Sequence, residues 1–181
     1  MVDLQVLPLL EASYRARLDA GSDIAGHLPY LRTTAAAVTR DDAVIAEFGV
    51  RAGNSTCALL AGLLDAGKGH LYSVDLNETP DLFWFGGTGR WSFLEADALG
   101  RKAAEWVPPE IDVLFVDLDP HSFDQTAAMI LAWFPRVRAG GVALFHDTSW
   151  GGGTGVRDAL EASGVAWENR EGSNGLGVVR L

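Results

Sequence analysis

Apolar residues recur along this chain at a helical period of about 3.6 and a strand period of about 2, and the switches between the two lay out its elements. From Val6 to about Ala20 the run VLPLLEASYRARLDA mixes apolar and charged positions at helical spacing, and Gly21-Ser22-Asp23 supplies a stop and a new cap. Residues Ile24 to Val38, IAGHLPYLRTTAAAV, predict a second helical region with Pro29 in its first turn or at a break. Short β-branched or aromatic runs then alternate with helical ones. In order they are AVIAEF, STCALLAGLLDA, LYSVDL, WSFLEAD, GRKAAEWV, DVLFVDL, HSFDQTAAMILAWFPRVR, GVALFHD and GVRDALEAS. That alternation predicts a parallel sheet with helices on both faces. DVLFVDL and GVALFHD are almost continuously apolar, which places them mid-sheet.

The tail breaks the rhythm. AWENRE and LGVVRL are joined only by Gly172-Ser173-Asn174-Gly175, and so short a connection returns the chain antiparallel. A single α/β domain over residues 1–181 is expected, with 1–40 as a helical lid or extension and 41–181 as the sheet-bearing core. No repeat or low-complexity linker divides it.

Composition narrows the partners. The formal net charge of -10, with no local cluster of Lys or Arg, repels phosphate backbones. A small-molecule acceptor is therefore expected, and nucleic acid is not. Cys57 is the single cysteine and no basic-then-apolar leader opens the sequence, so a cytoplasmic location is expected. No apolar run approaches the roughly 18 residues of a membrane span, so no membrane partner is expected.

The chemistry gathers at predicted strand ends. Glu47-Phe48-Gly49 closes the first strand, and a helix opens near Asn54-Ser55, with Gly49 and Gly53 bracketing the turn. Glycine lets the backbone turn sharply and approach a ligand, and Asn54 or Ser55 can cap the helix. A dinucleotide turn of GxGxxG form needs glycine where Arg51 stands. Asp75 closes LYSVD, where a carboxylate can accept both hydroxyls of a ribose, and Asp97 closes FLEAD. The turn EFGVRAGNST resembles motif I of class I methyltransferases, which bind S-adenosylmethionine. That resemblance implies a Rossmann-like fold with a seven-stranded, mostly parallel sheet and an antiparallel C-terminal hairpin. It implies donor binding by Glu47, Gly49, Gly53, Asn54, Ser55, Asp75 and Asp117, with Asp97 accepting from the adenine amino group. The aromatic residues Phe83, Trp84, Phe85 and Trp91 near the Pro80–Arg90 loop either wall the ligand or pack the loop onto the sheet.

Two further strands end in Asp117-Leu118-Asp119-Pro120-His121 and His146-Asp147-Thr148. The segment IDVLFVDLDPHSFDQTAAMILAWFPRVRAGGVALFHDT is similar to a subgroup of small-molecule O-methyltransferases, methyltransferase family 24-like, with the pattern D-x-D-H, helix, Gly-Gly turn and His-Asp. Pro120 departs from it, displacing His121 by one position. The resemblance implies a divalent cation at such strand ends, and Asp117 with Asp147 offers the hard oxygens that suit Mg²⁺. His146 better suits a base or a transition metal. Asp117, His146 and Asp147 are the expected catalytic residues, with His146 or Asp147 as base. The alternative makes His146-Asp147 a satisfied turn. Asp119 is expected to cap the helix near His121, and His27 and His70 to be structural. Trp150, in the glycine-rich Ser149–Gly155, is the candidate lid residue. The N-terminal helices serve either as lid or as packing and dimer surface, the second implying a homodimer. Two competing functions stay open: an NAD-dependent oxidoreductase, and a non-catalytic nucleoside-binding protein of the same fold.

Overall fold

The computed structural model describes residues 6–181, so the first five residues of the expected N-terminal extension lie outside the described chain. The elements are α1 (Val6–Asp19), a 3₁₀ turn (Ala25–His27), α2 (Leu28–Ala36), β1 (Val44–Phe48), α3 (Asn54–Ala66), β2 (His70–Asp75) and a 3₁₀ stretch (Pro80–Thr88). After these come β3 (Trp91–Glu95), α4 (Arg101–Trp106), β4 (Ile111–Val116), α5 (Phe123–Trp133), β5 (Val137–His146), α6 (Gly155–Ala162), β6 (Trp167–Arg170) and β7 (Leu176–Arg180). The seven strands form one sheet in the order β3-β2-β1-β4-β5-β7-β6. Pairing is parallel from β3 through β5, and β7 runs antiparallel to both β5 and β6. This is the Rossmann-like methyltransferase arrangement expected from the sequence, hairpin included.

Every residue of β1 and β4 is buried, as continuous apolar runs at mid-sheet require. Alternate strand residues feed two cores. Ile45, Val113 and Phe115 pack with α1, α2 and α3, whereas Phe48, Leu114 and Phe145 pack with α5 and α6. Leu10, Tyr14, Leu28, Leu31 and Ala35 place α1 and α2 inside the first core. Trp133 of α5 lies on Phe48, with ring centroids 4.3 Å apart. Strand β5 begins earlier than GVALFHD implies, because an irregularity against β4 lets residues before Gly141 join the ladder. No helix among the described residues is long and apolar enough to cross a membrane.

Two helix starts differ from the sequence expectation. Neither Asn54 nor Ser55 caps α3; the cap is Gly53, left-handed at φ +73°, with no side-chain bond. The hydroxyls of Ser55 and Thr56 are drawn inward instead, to a buried carboxylate. Helix α5 is capped by Ser122, whose hydroxyl accepts from the Gln125 N–H at 3.2 Å, and not by Asp119. A turn through Pro120 and His121, closed by His121 N–H to the Leu118 carbonyl, delays the helix beyond the reach of Asp119.

Gly49 has φ +92°, and a Cβ there would overlap the carbonyl oxygen of Asp117. The β1 turn and the β4 end therefore touch backbone to backbone. Gly49→Ala is expected to cost about 3 kcal/mol or more of folding free energy, combining a left-handed conformation with a steric clash. Urea denaturation checks this, and a variant within about 0.5 kcal/mol of wild type would show that the contact relaxes freely.

Candidate active site

The pleat that sends Ile45 toward α3 sends Glu47 the same way, and Glu47 ends fully buried. One carboxylate oxygen accepts from Ser55 Oγ at 2.6 Å; the other accepts from Thr56 Oγ1 at 2.9 Å and Ser73 Oγ at 2.6 Å. Ser73 in turn accepts from the Trp91 indole N–H at 2.9 Å. Burial pushes the Glu47 carboxyl up to about 7, against the opposing pull of the three hydroxyls. Glu47 thus braces β1, β2, β3 and α3 from within.

Asp75, at the end of β2, grips the same turn from outside. Its Oδ2 accepts from the N–H groups of Val50 at 2.7 Å and Arg51 at 3.1 Å, and Oδ1 from Asn77 N–H at 3.0 Å. Arg17 of α1 donates to the carbonyls of Ala52 and Gly53, both at 3.2 Å. Beside the turn lies a cavity of about 390 Å³, bordered by Ser22, Ile24, Asn54, Ser55 and Asp117. The Ser22 hydroxyl is buried with no partner among the described residues. Arg51 reaches Asp23 at 3.4 Å across the rim. Asp97 lies beyond β3, exposed, with Oδ1 accepting from Leu99 N–H at 2.9 Å. Leu76 and Leu99, at these neighbouring strand ends, are 67% and 44% exposed.

Strands β4 and β5 bring Asp117, His146 and Asp147 together. His146 is buried, with Nδ1 3.3 Å from Asp117 Oδ1 and 3.0 Å from Asp147 Oδ2, and Nε2 2.8 Å from the Ser173 carbonyl oxygen. Those partners are carboxylates and a carbonyl, so both nitrogens must donate and the ring is an imidazolium. Burial alone would lower its pKa; the bonds and charges of Asp117 and Asp147 outweigh burial and raise it to about 10. Burial also raises Asp147, but the bond and charge of His146 leave its carboxyl below the usual range. Asn174 Nδ2 donates to Asp147 Oδ1 at 3.0 Å.

His121 joins this cluster despite the inserted Pro120. Its Nδ1 lies 3.4 Å from Asp147 Oδ2, and ligand atoms of Asp117, His121 and Asp147 all fall within 4.8 Å of one another. The extra residue is absorbed by backbone at positive φ, +57° at His121 and +67° at Asp147. Counting positions along the sequence does not register that bend. The Trp150 ring stands edge-on to His121 with centroids 5.1 Å apart. Of the loop aromatics, Phe85 and Trp91 pack into the core, while Phe83 and Trp84 keep 48% and 36% of their surface. His27 donates or accepts at the Gly172 carbonyl and His70 pairs with Ser92 Oγ, outside the cluster. Ser22, Ser173 and Asn174 carried no local signal, since their partners lie far away in sequence.

The sheet order, the gripped turn at the β1 carboxyl end and the acid cluster beside it define a class I methyltransferase. The family model of the methyltransferase domain matches residues 46–148, and the chain belongs to that family. No curated protein matches the sequence. Among solved structures, a Corynebacterium glutamicum protein is similar at 22% identity and TM-score 0.70, covering 93% of this chain and 89% of its own. An O-methyltransferase from Bacillus cereus in complex with SAH is similar at 16% identity and TM-score 0.66, covering 100% of this chain and 92% of its own. The TDP-rhamnose 3'-O-methyltransferase CalS11 is similar at 20% identity and TM-score 0.63, covering 84% of this chain and 76% of its own. At these identities the likenesses show the fold. The chain is a methyltransferase dependent on S-adenosylmethionine.

The His146 pKa stands above its ordinary 6.5, so its stabilisation is complete below about pH 6.5 and is lost as pH rises toward about 10. At pH 8 both ring nitrogens are expected to be protonated by ¹⁵N NMR. A neutral ring at that pH would contradict the bonding pattern. Relative to His146→Gln, wild type is expected to lose stability between about pH 7 and 10 in denaturant melts.

Proposed function

We propose that this chain methylates an oxygen of a small acceptor, with His121 as general base and Asp147 orienting it. The observation that supports this most is the state of His146: both its nitrogens are engaged, so it has no lone pair for a proton. The base role drawn from sequence for His146 therefore moves to His121, whose Nδ1 faces Asp147 and leaves Nε2 as acceptor.

Donor binding fits the cavity on its own terms. The orphaned Ser22 hydroxyl and the uncapped N-terminus of α3, beside Asn54 and Ser55, offer donors to the carboxylate of an amino acid. Asp75 holds the turn through N–H groups and presents its remaining lone pairs to ribose hydroxyls. Exposed Leu76 and Leu99 offer apolar surface to the adenine, whose amino group Asp97 accepts. Glu47 contributes by bracing the turn, and Gly49 and Gly53 by shaping it. S-adenosylmethionine supplies a methyl on a sulfonium, which is displaced in line by the acceptor oxygen and leaves S-adenosylhomocysteine. His121 takes the acceptor proton as that bond forms and releases it to water afterwards. Trp150 shields His121 from solvent. Asp117, next to both cavity and cluster, aligns the acceptor with the donor.

A divalent cation would be held by Asp117, His121 and Asp147, lowering the pKa of a bound hydroxyl. One imidazole with two carboxylates is a softer set than Mg²⁺ prefers, and the His146 imidazolium already neutralises part of their charge. The net charge of -10 disfavours nucleic acid as acceptor, and sugar or phenolic hydroxyls suit the cluster.

Calorimetry is expected to show S-adenosylhomocysteine binding and no NADH binding; the reverse would sink the donor reading. With an acceptor found from a panel of sugar and phenolic hydroxyls, His121→Gln is expected to lower kcat about 100-fold or more. Activity should survive EDTA. Unchanged turnover in His121→Gln would remove the base assignment, and EDTA loss restored by Mn²⁺ would assign the cluster to a metal.

A further inference from the structure

The turn between β6 and β7 touches both halves of the site. Its four residues, Gly172, Ser173, Asn174 and Gly175, all take left-handed φ, at +85°, +44°, +64° and +83°. Ser173 and Asn174 pay an energetic cost for that conformation, which persists where the surroundings impose it. Here the surroundings are specific. The Gly172 carbonyl accepts from His27 Nε2 at 2.8 Å. Ser173 is held twice, its Oγ accepting from Gly26 N–H at 2.9 Å and its carbonyl from His146 Nε2 at 2.8 Å. Asn174 donates to Asp147 Oδ1 at 3.0 Å, and its carbonyl accepts from Ser149 N–H at 2.6 Å.

Three consecutive residues near the end of the chain thus grip two neighbours near its start, Gly26 and His27, and two at the end of β5, His146 and Asp147. The grip at the start is close, because a Cβ on Gly26 would stand 2.5 Å from Ser173 Oγ. His27 and Ile24 are buried, and Ser22, Asp23 and Ile24 border the donor cavity a few residues upstream. Outside this turn, the segment from Gly21 to His27 is tied to the β-sheet side by few bonds, chiefly the rim pair of Asp23 with Arg51.

We propose that the Gly172–Gly175 turn is a clamp for the donor site, with Ser173 and His27 as positioning residues that hold the Ser22–Ile24 wall in place. This rests on the donor reading above. A wall already ordered in the free protein need not be ordered by the ligand, so the clamp tightens donor binding without touching the donor. The coupling is reciprocal: a ligand that rests on the wall must also protect the turn. The same turn fixes His146 and Asp147, so donor wall and reacting cluster share one support.

The test is Ser173→Gly, which keeps the left-handed backbone and the carbonyl bond to His146 while deleting the hydroxyl bond to Gly26. Affinity for S-adenosylhomocysteine by calorimetry is expected to fall about tenfold, within the usual range of coupling between sites. In the free protein, amide hydrogen exchange over residues 22–27 is expected to quicken about tenfold, with β4 and β5 unchanged. His27→Phe, which keeps the ring volume and loses the bond to Gly172, should act in the same direction. In wild type, S-adenosylhomocysteine should slow exchange at residues 173–175. Unchanged affinity and unchanged exchange in both variants would overturn the clamp. Wild type that fails to bind S-adenosylhomocysteine would overturn the donor reading instead, and exchange in the free variants would still show whether the turn holds the segment.

Discussion

A carboxyl group taken wholly out of water needs partners on both oxygens, and the need of Glu47 sets the order around it. Three hydroxyls from α3 and β2 converge on it, and the Trp91 indole ties β3 to the same knot through Ser73. Because Ser55 and Thr56 turn inward, α3 begins without a side-chain cap and its first N–H groups stay open toward the cavity. The cavity floor is therefore a by-product of how the core satisfies one acid. Burial leaves Glu47 with a raised pKa, so its favourable share of stability is complete below about pH 4.5 and gone above about pH 7.

The second organising element is electrostatic. Asp117 and Asp147 are brought side by side by parallel strands, and two carboxylates so placed repel unless a positive charge stands between them. The His146 imidazolium provides it, anchored from behind by the Ser173 carbonyl. A buried cation with two acids is costly to break by removing a single member, which makes this trio a structural support as much as a chemical one. It also frees His121, on the wetter side of Asp147, for a role that a doubly bonded ring does not have.

The sheet was legible because its strands announce themselves. The β4 and β5 runs are apolar throughout, and the short Gly172–Gly175 link dictates an antiparallel return. The glycine turn and the acids at three strand ends were legible for the same reason, since strand ends fall at one edge of a parallel sheet. What was not legible depends on where a hydroxyl or ring points after the chain bends. Ser55 was expected to cap its helix, but a buried acid eight residues earlier competes for its hydroxyl more strongly. Asp119 was expected to cap α5, but the turn through Pro120 hands that duty to Ser122. His121 was left in doubt by a one-residue offset that the backbone cancels with positive φ. Ser22 and Ser173 carry no local pattern, because their surroundings are assembled from distant segments.

Six residues other than glycine take left-handed backbone, and five of them, Arg51, His121, Asp147, Ser173 and Asn174, border the site. On backbone preference alone each position would favour glycine. A relative carrying glycine at these positions would keep the bends, and so the cavity's outline, while losing the groups that act there. Such a chain would pass every comparison of fold yet be inert. The side chain retained at each of these bends, more than the overall superposition, therefore separates working members of this architecture from its silent ones.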